Sequence, residues 1–155
     1  MKKLDVHFSS EKMDWETPQK FFNVLNDEYD FTLDVASNGS NAKTEKYFTK
    51  EDDGLTKEWK GRVFCNPPYG REIKHWVKKA YDESKKDYND LIVLLIPSRT
   101  DTKYWHDFIF NKASKIIFLK GRLKFEVNGE STNSAPFPSA IVVYKGDKTM
   151  TIDTM

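Results

Sequence analysis

Apolar side chains recur along this chain in two rhythms, and the switches between them predict the order of its elements. Residues 1–13 carry no periodicity and read as a loose N-terminal arm. Phe21, Phe22, Leu25 and Tyr29 then follow at helical spacing. Thr17-Pro18 opens that helix, since threonine can cap an N-terminus and proline suits the first turn. Phe31-Thr-Leu-Asp-Val-Ala36 reads as a short strand running into the turn-prone Ser37-Asn-Gly-Ser40. Tyr47-Phe48-Thr49 predicts another strand, before the acidic turn Glu51-Asp52-Asp53-Gly54. Arg62-Val-Phe-Cys65 predicts a strand that leads into Asn66-Pro-Pro-Tyr69. Ile73, Trp76, Val77, Ala80 and Tyr81 share one helical face, with lysines opposite. Residues 91–96 form a continuous apolar run of strand length, the pattern of a strand buried on both faces of a parallel sheet. Tyr104, Trp105, Phe108 and Ile109 mark a further helix, and residues 115–119, 123–127 and 140–144 read as closing strands.

This alternation of strands and helices predicts a three-layer α/β sheet, mostly parallel. Closing strands without helices between them predict an antiparallel edge or hairpin. The 155 residues show no linker, repeat or low-complexity tract, so one domain spans 1–155. A 14% aromatic content excludes a disordered chain. A mean hydropathy of −0.71 argues against an integral membrane protein, and the longest apolar run is far too short to span a bilayer. No apolar leader follows the initial Met-Lys-Lys, and the single cysteine, Cys65, has no partner for a disulfide or a zinc site. A soluble cytoplasmic protein without a metal or a membrane partner is the expectation. The net charge of +1 says nothing about partners, but its distribution does. Residues 1–58 carry 8 basic against 13 acidic side chains, and residues 59–155 carry 17 against 11. The second part is the one suited to a polyanion.

In open sheets of this kind ligands bind beyond the carboxyl ends of the strands. Two unusual segments fall there, Asp34-Val-Ala-Ser37 and Asn66-Pro-Pro-Tyr69. Consecutive prolines remove two backbone donors and fix φ at both positions, so the carbonyls beside them stay free to accept from a ligand. Asn66 adds a side-chain acceptor and Tyr69 a flat aromatic face. Such a set suits a planar ligand with an amino group: two acceptors hold the amine's hydrogens and steer its lone pair toward an electrophile.

Asn-Pro-Pro-Tyr resembles the catalytic motif of S-adenosylmethionine-dependent methyltransferases that modify exocyclic amino or amide nitrogens. The likeness extends along the chain. Asp14-Trp-Glu-Thr-Pro18, Phe31-Thr-Leu-Asp-Val-Ala-Ser37, Asp53-Gly-Leu55 followed by Trp59, Asn66-Pro-Pro-Tyr69, Leu95-Ile-Pro97, Gly121-Arg-Leu-Lys-Phe125 and Ala135-Pro-Phe-Pro-Ser139 occur in this order. That ordered series resembles the phage-type DNA N-6-adenine methyltransferase family. The resemblance implies a three-layer Rossmann-like methyltransferase fold, a mostly parallel sheet with an antiparallel C-terminal strand, and no separate target-recognition domain. It implies S-adenosylmethionine as cofactor and DNA as partner, in the bacterial host cytoplasm if the chain is encoded by a phage or prophage.

Residue by residue, the resemblance implies that Asn66 and the Pro67 carbonyl, in a motif completed by Pro68, accept from the adenine amine, while Tyr69 stacks on the base after it flips from the helix. The amine itself attacks the methyl group of the sulfonium cofactor in a single displacement, with no covalent enzyme intermediate. Trp15, Thr17 and Pro18 would meet the cofactor's amino-acid end, and Asp34 its α-ammonium. Ala36 and Ser37 would stand for the small residues of the turn that follows. Asp53, with Asp52 as the alternative, would accept from the cofactor's adenine. Ser98, Arg99, Arg122 and Phe125 would meet phosphate or wall the base pocket. The chain departs from most methyltransferases in supplying one glycine, Gly39, where a glycine-rich turn usually follows the first strand. Two other readings stay open: the same chemistry on RNA or on protein glutamine, and a non-catalytic nucleic-acid-binding relative. So small a chain leaves little room for base readout, so it acts either as a homodimer or with relaxed specificity.

Overall fold

A computed structural model describes residues 15–146 and 150–155, so the arm expected at 1–13 lies outside the described residues. Helix α1 (Gln19–Tyr29) precedes strands β1 (Leu33–Asp34) and β2 (Lys46–Tyr47). A 3-10 turn (Gly54–Thr56) leads to β3 (Gly61–Cys65), α2 (Ile73–Glu83), β4 (Asn89–Pro97), α3 (Lys103–Phe108) and β5 (Lys115–Phe118). The chain closes with β6 (Glu126–Val127), β7 (Glu130–Ser131), β8 (Ser139–Tyr144) and β9 (Thr151–Thr154).

Seven strands form one sheet in the order β2-β1-β3-β4-β8-β5-β9. β1, β2, β3 and β4 run parallel, so the ends of β1, β3 and β4 that carry Asp34, Cys65 and Pro97 open on one edge. β8 is the antiparallel strand, paired with β4 and β5. It lies inside the sheet and not at its edge, because β4 and β5 flank it, and β9 pairs parallel with β5 to form the edge. This is the mixed α/β, Rossmann-like arrangement that the resemblance implies. β4 supplies its centre: Leu91 through Ile96 are wholly buried, as their unbroken apolar run requires. α1 packs Phe22 against Phe31 and Phe64, and α2 and α3 lie against each other.

Local chemistry explains where the elements depart from their predicted form. Thr17 does not cap α1: the cap position is Pro18, with no side-chain bond, and the Thr17 hydroxyl is engaged elsewhere. Glu126 instead places a carboxylate oxygen 3.1 Å from the Gln19 N–H, at the positive end of the helix. β1 spans two residues because the Asp34 carboxylate accepts from Ala36 N–H and turns the chain. Pairing with β3 nevertheless runs on either side, from Thr32 N–H to Arg62 and from Val35 N–H to Phe64. The strand predicted at 123–127 contracts to β6, since Phe125 is drawn wholly into the core. β9 has no sequence signature: its four residues are all exposed, so burial imposes no alternation.

One polar network braces the site from behind. The buried Glu83 accepts from the Trp59 N–H at 2.7 Å and from the Tyr88 hydroxyl at 2.8 Å, with Lys79 beside it. The Trp59 indole N–H in turn donates to the Gly54 carbonyl at 2.9 Å, which fixes the 3-10 turn.

Candidate active site

A cavity of about 650 Å³ opens at the carboxyl ends of β1 and β3, a size suited to a nucleoside-sized ligand. Of the residues assigned to the cofactor from sequence, Trp15, Thr17, Asp34, Ala36, Ser37 and Asp53 line it. Pro18 does not, because it already belongs to the start of α1. Asn66 and Pro68 form part of the wall; Pro67 and Tyr69 are not among its lining residues.

Asp34 is 3% exposed. Its two oxygens accept from Ala36 N–H at 3.3 Å and Lys43 N–H at 3.1 Å. Burial nonetheless raises its pKa above the ordinary aspartate value, against the pull of those two bonds. The turn after β1 has one glycine, Gly39, and is held by its own side chains. Asn41 Oδ1 accepts from the Ser37 hydroxyl and the Asn38 N–H, and Asn38 Oδ1 accepts from the Ser40 hydroxyl and the Asn41 N–H. Side chains thus fix a loop that glycines make elsewhere, and Gly39 takes the one position with φ +90°. The two neighbouring acids differ in their geometry. Asp52 spends one oxygen on the N–H and hydroxyl of Thr49, which holds its carboxyl below the usual range, and it does not line the cavity. Asp53 does line it, in a left-handed conformation at φ 57°.

Asn66 is held from one side only. Its Nδ2 donates to the Trp15 carbonyl at 2.6 Å and to the Thr17 Oγ1 at 3.1 Å. Its Oδ1 is buried and, among the described residues, has no hydrogen-bond partner. A buried acceptor without a donor is costly and uncommon, and the residue that carries it lines the cavity together with Pro68.

The Tyr69 ring is enclosed. The residue is 1% exposed, its hydroxyl donates to the Leu95 carbonyl at 3.0 Å, and its ring meets Phe125 and Phe137 edge-on. Trp15 packs edge-on against the same two phenylalanines. The four rings close on one another, so a base can reach Tyr69 only if Phe125 and Phe137 give way.

The residues assigned to the substrate converge on one segment, 135–138. Phe125 touches Phe137; the Arg99 guanidinium lies 6.0 Å from the Phe137 ring; Ser98 N–H donates to Pro138; and Arg122 donates to the Ala135 carbonyl. They lie outside the cofactor-sized cavity, with both arginines exposed. The Ser98 hydroxyl is buried without a partner among the described residues.

Sequence reasoning missed several wall residues. Glu16 is buried at 8% exposure, and its carboxylate receives Gly129 N–H and the Asn38 amide. Its one sequence signal is position, an acid enclosed by Trp15 and Thr17. Lys43 acts through its main chain, which sequence cannot reveal, and Glu72 and Trp76 reach the cavity from the region of α2.

The family model for DNA N-6-adenine-methyltransferase (Dam) matches residues 6–153. The chain is 30% identical over 147 residues to a DNA N-6-adenine-methyltransferase of Haemophilus phage HP1, covering 88% of this chain and 80% of that protein. It is 31% identical over 119 residues to a DNA N-6-adenine-methyltransferase of Escherichia phage T1, covering 74% of this chain and 48% of that protein.

Proposed function

The chain belongs to the DNA N-6-adenine-methyltransferase family, and from that premise we propose that it methylates the exocyclic N6 amine of adenine in DNA with S-adenosylmethionine as donor. The observation that carries this reading is the buried Oδ1 of Asn66, a residue of the cavity lining, which has no hydrogen-bond partner among the described residues. It is the acceptor that an amino group arriving at the end of β3 needs.

The residues present suit the cofactor. Asp34 offers a buried carboxylate to an α-ammonium, and Asp53 an acceptor to an adenine amine farther along the same wall. Ser37 adds a hydroxyl, and Trp15 and Trp76 an apolar lining. When bound, S-adenosylmethionine supplies a methyl group on a sulfonium, the electrophile the amine requires. The chain's own part is positioning. Asn66 Oδ1 and the Pro67 carbonyl, which receives no hydrogen bond among the described residues, accept the two amine hydrogens and point the nitrogen lone pair. Tyr69 stacks on the flipped base once the phenylalanines move aside, and Arg99 and Arg122 stand where phosphate passes.

The acceptor is tested by offering methyl-labelled S-adenosylmethionine with duplex DNA, single-stranded DNA, RNA or protein. Label in DNA, recovered as N6-methyladenine, is the expected result; label confined to RNA or protein would overturn the substrate assignment.

Asp34 gives the cofactor site a pH signature. Its raised pKa means that the ligand-free carboxyl keeps its proton to higher pH than an ordinary aspartate. A cation beside it favours the carboxylate, so binding releases that proton at acid pH. Affinity is expected to fall as pH drops through the raised value. Asp34→Asn should bind the cofactor more weakly by about 1.5–3 kcal/mol, the worth of a charge-assisted bond, and lose that acid limb. Calorimetry across pH in buffers of different ionisation enthalpy reads both effects.

A further inference from the structure

The geometry points to Thr17 as a positioning residue that works through Asn66, an inference that rests on the adenine-methylation reading above. An asparagine amide has two ends of nearly equal shape, an acceptor oxygen and a donor nitrogen, and half a turn of the amide exchanges them. Only one orientation presents an acceptor to an incoming amine. In this chain the Trp15 carbonyl lies 2.6 Å from Nδ2, and a carbonyl can only accept. The reversed amide would set oxygen against oxygen at that distance. The Thr17 hydroxyl, 3.1 Å from the same nitrogen, takes the second N–H. With both protons engaged, the amide plane is held and Oδ1 is left without a donor among the described residues.

Two further observations support the role. Thr17 is 3% exposed, so little water competes for its hydroxyl. Nor is that hydroxyl spent on α1, because Glu126 meets the Gln19 N–H in its place. A Thr-Pro pair that reads as a helix cap, or as a cofactor contact, therefore acts on the amine acceptor.

The test compares wild type with Thr17→Val, which keeps the shape and removes the acceptor, and with Thr17→Ser, which restores it. Thr17→Ala serves if the valine variant does not fold. In the cofactor-free protein, the side-chain amide of Asn66 is followed by nitrogen-15 NMR. Its protons should exchange slowly with solvent in wild type and Thr17→Ser, and about tenfold faster in Thr17→Val. In turnover, kcat should fall about tenfold in Thr17→Val, with the cofactor Kd within twofold of wild type, and recover in Thr17→Ser. Unchanged amide exchange would overturn the inference, as would a loss confined to cofactor Kd. A wild-type chain that transfers no methyl group would overturn the functional reading instead, while amide exchange would still decide the role of Thr17.

Discussion

Replacing Asn66 by alanine is expected to lower methyl transfer by roughly 10²–10³-fold, the scale set by removing one preorganised polar group aimed at a reacting centre. The amine would lose the acceptor that orients its lone pair, and Pro67's carbonyl alone cannot fix both hydrogens. Stability should change little. The variant forfeits two bonds from Nδ2 at about 1 kcal/mol each. It also removes a buried oxygen that has no partner, which offsets part of that loss. Asn66 touches the cavity at its wall, so cofactor Kd should stay within a few-fold of wild type. Single-turnover methyl transfer, calorimetry with the cofactor and a thermal melt separate these outcomes. A large rise in cofactor Kd with an unchanged chemical rate would assign Asn66 to the cofactor.

Gly54→Ala is expected to damage the fold and the cofactor site together. A Cβ at this position would come within 2.5 Å of the Val35 carbonyl and 3.0 Å of the Trp76 ring. Neither neighbour yields easily. The Val35 N–H is tied to β3, and Trp76 packs in the core against Trp59. The turn cannot slide away either, because its carbonyl is gripped by the Trp59 indole and Trp59 by Glu83. Overpacking of this kind costs about 1–3 kcal/mol, and relief would have to come from Asp53, the adjoining cavity residue. A melting temperature lowered by several degrees, together with weaker cofactor binding, is the expected pair of results. A stable variant with normal binding would show that the turn is looser than its contacts imply.

The sheet was legible wherever burial imposed a pattern. β3 and β4 stand within a few residues of their predicted limits because both are enclosed by neighbours. β9, exposed along its length, left no trace, and β1 was over-read because its hydrogen bonding outlasts its regular geometry. At the site, placement at or beyond the strand ends was legible: Asn66, Asp34 and Asp53 line one cavity. Chemistry that depends on geometry was not. No sequence pattern shows that the Thr17 hydroxyl turns to Asn66, or that Tyr69 lies under two phenylalanines contributed by the region after β5. The single glycine after β1 looked like a defect in composition, yet paired asparagine side chains build the turn instead.

The central claim, that Asn66 presents the acceptor for an adenine amine, is tested most directly inside a cell. DNA is taken from a bacterial host lacking adenine methylation that expresses either the wild-type chain or Asn66→Ala at matched levels, and its nucleosides are quantified by mass spectrometry. N6-methyladenine well above background with wild type, and at background with the variant, is the predicted result. Equal N6-methyladenine from both chains, or none from wild type, would contradict it.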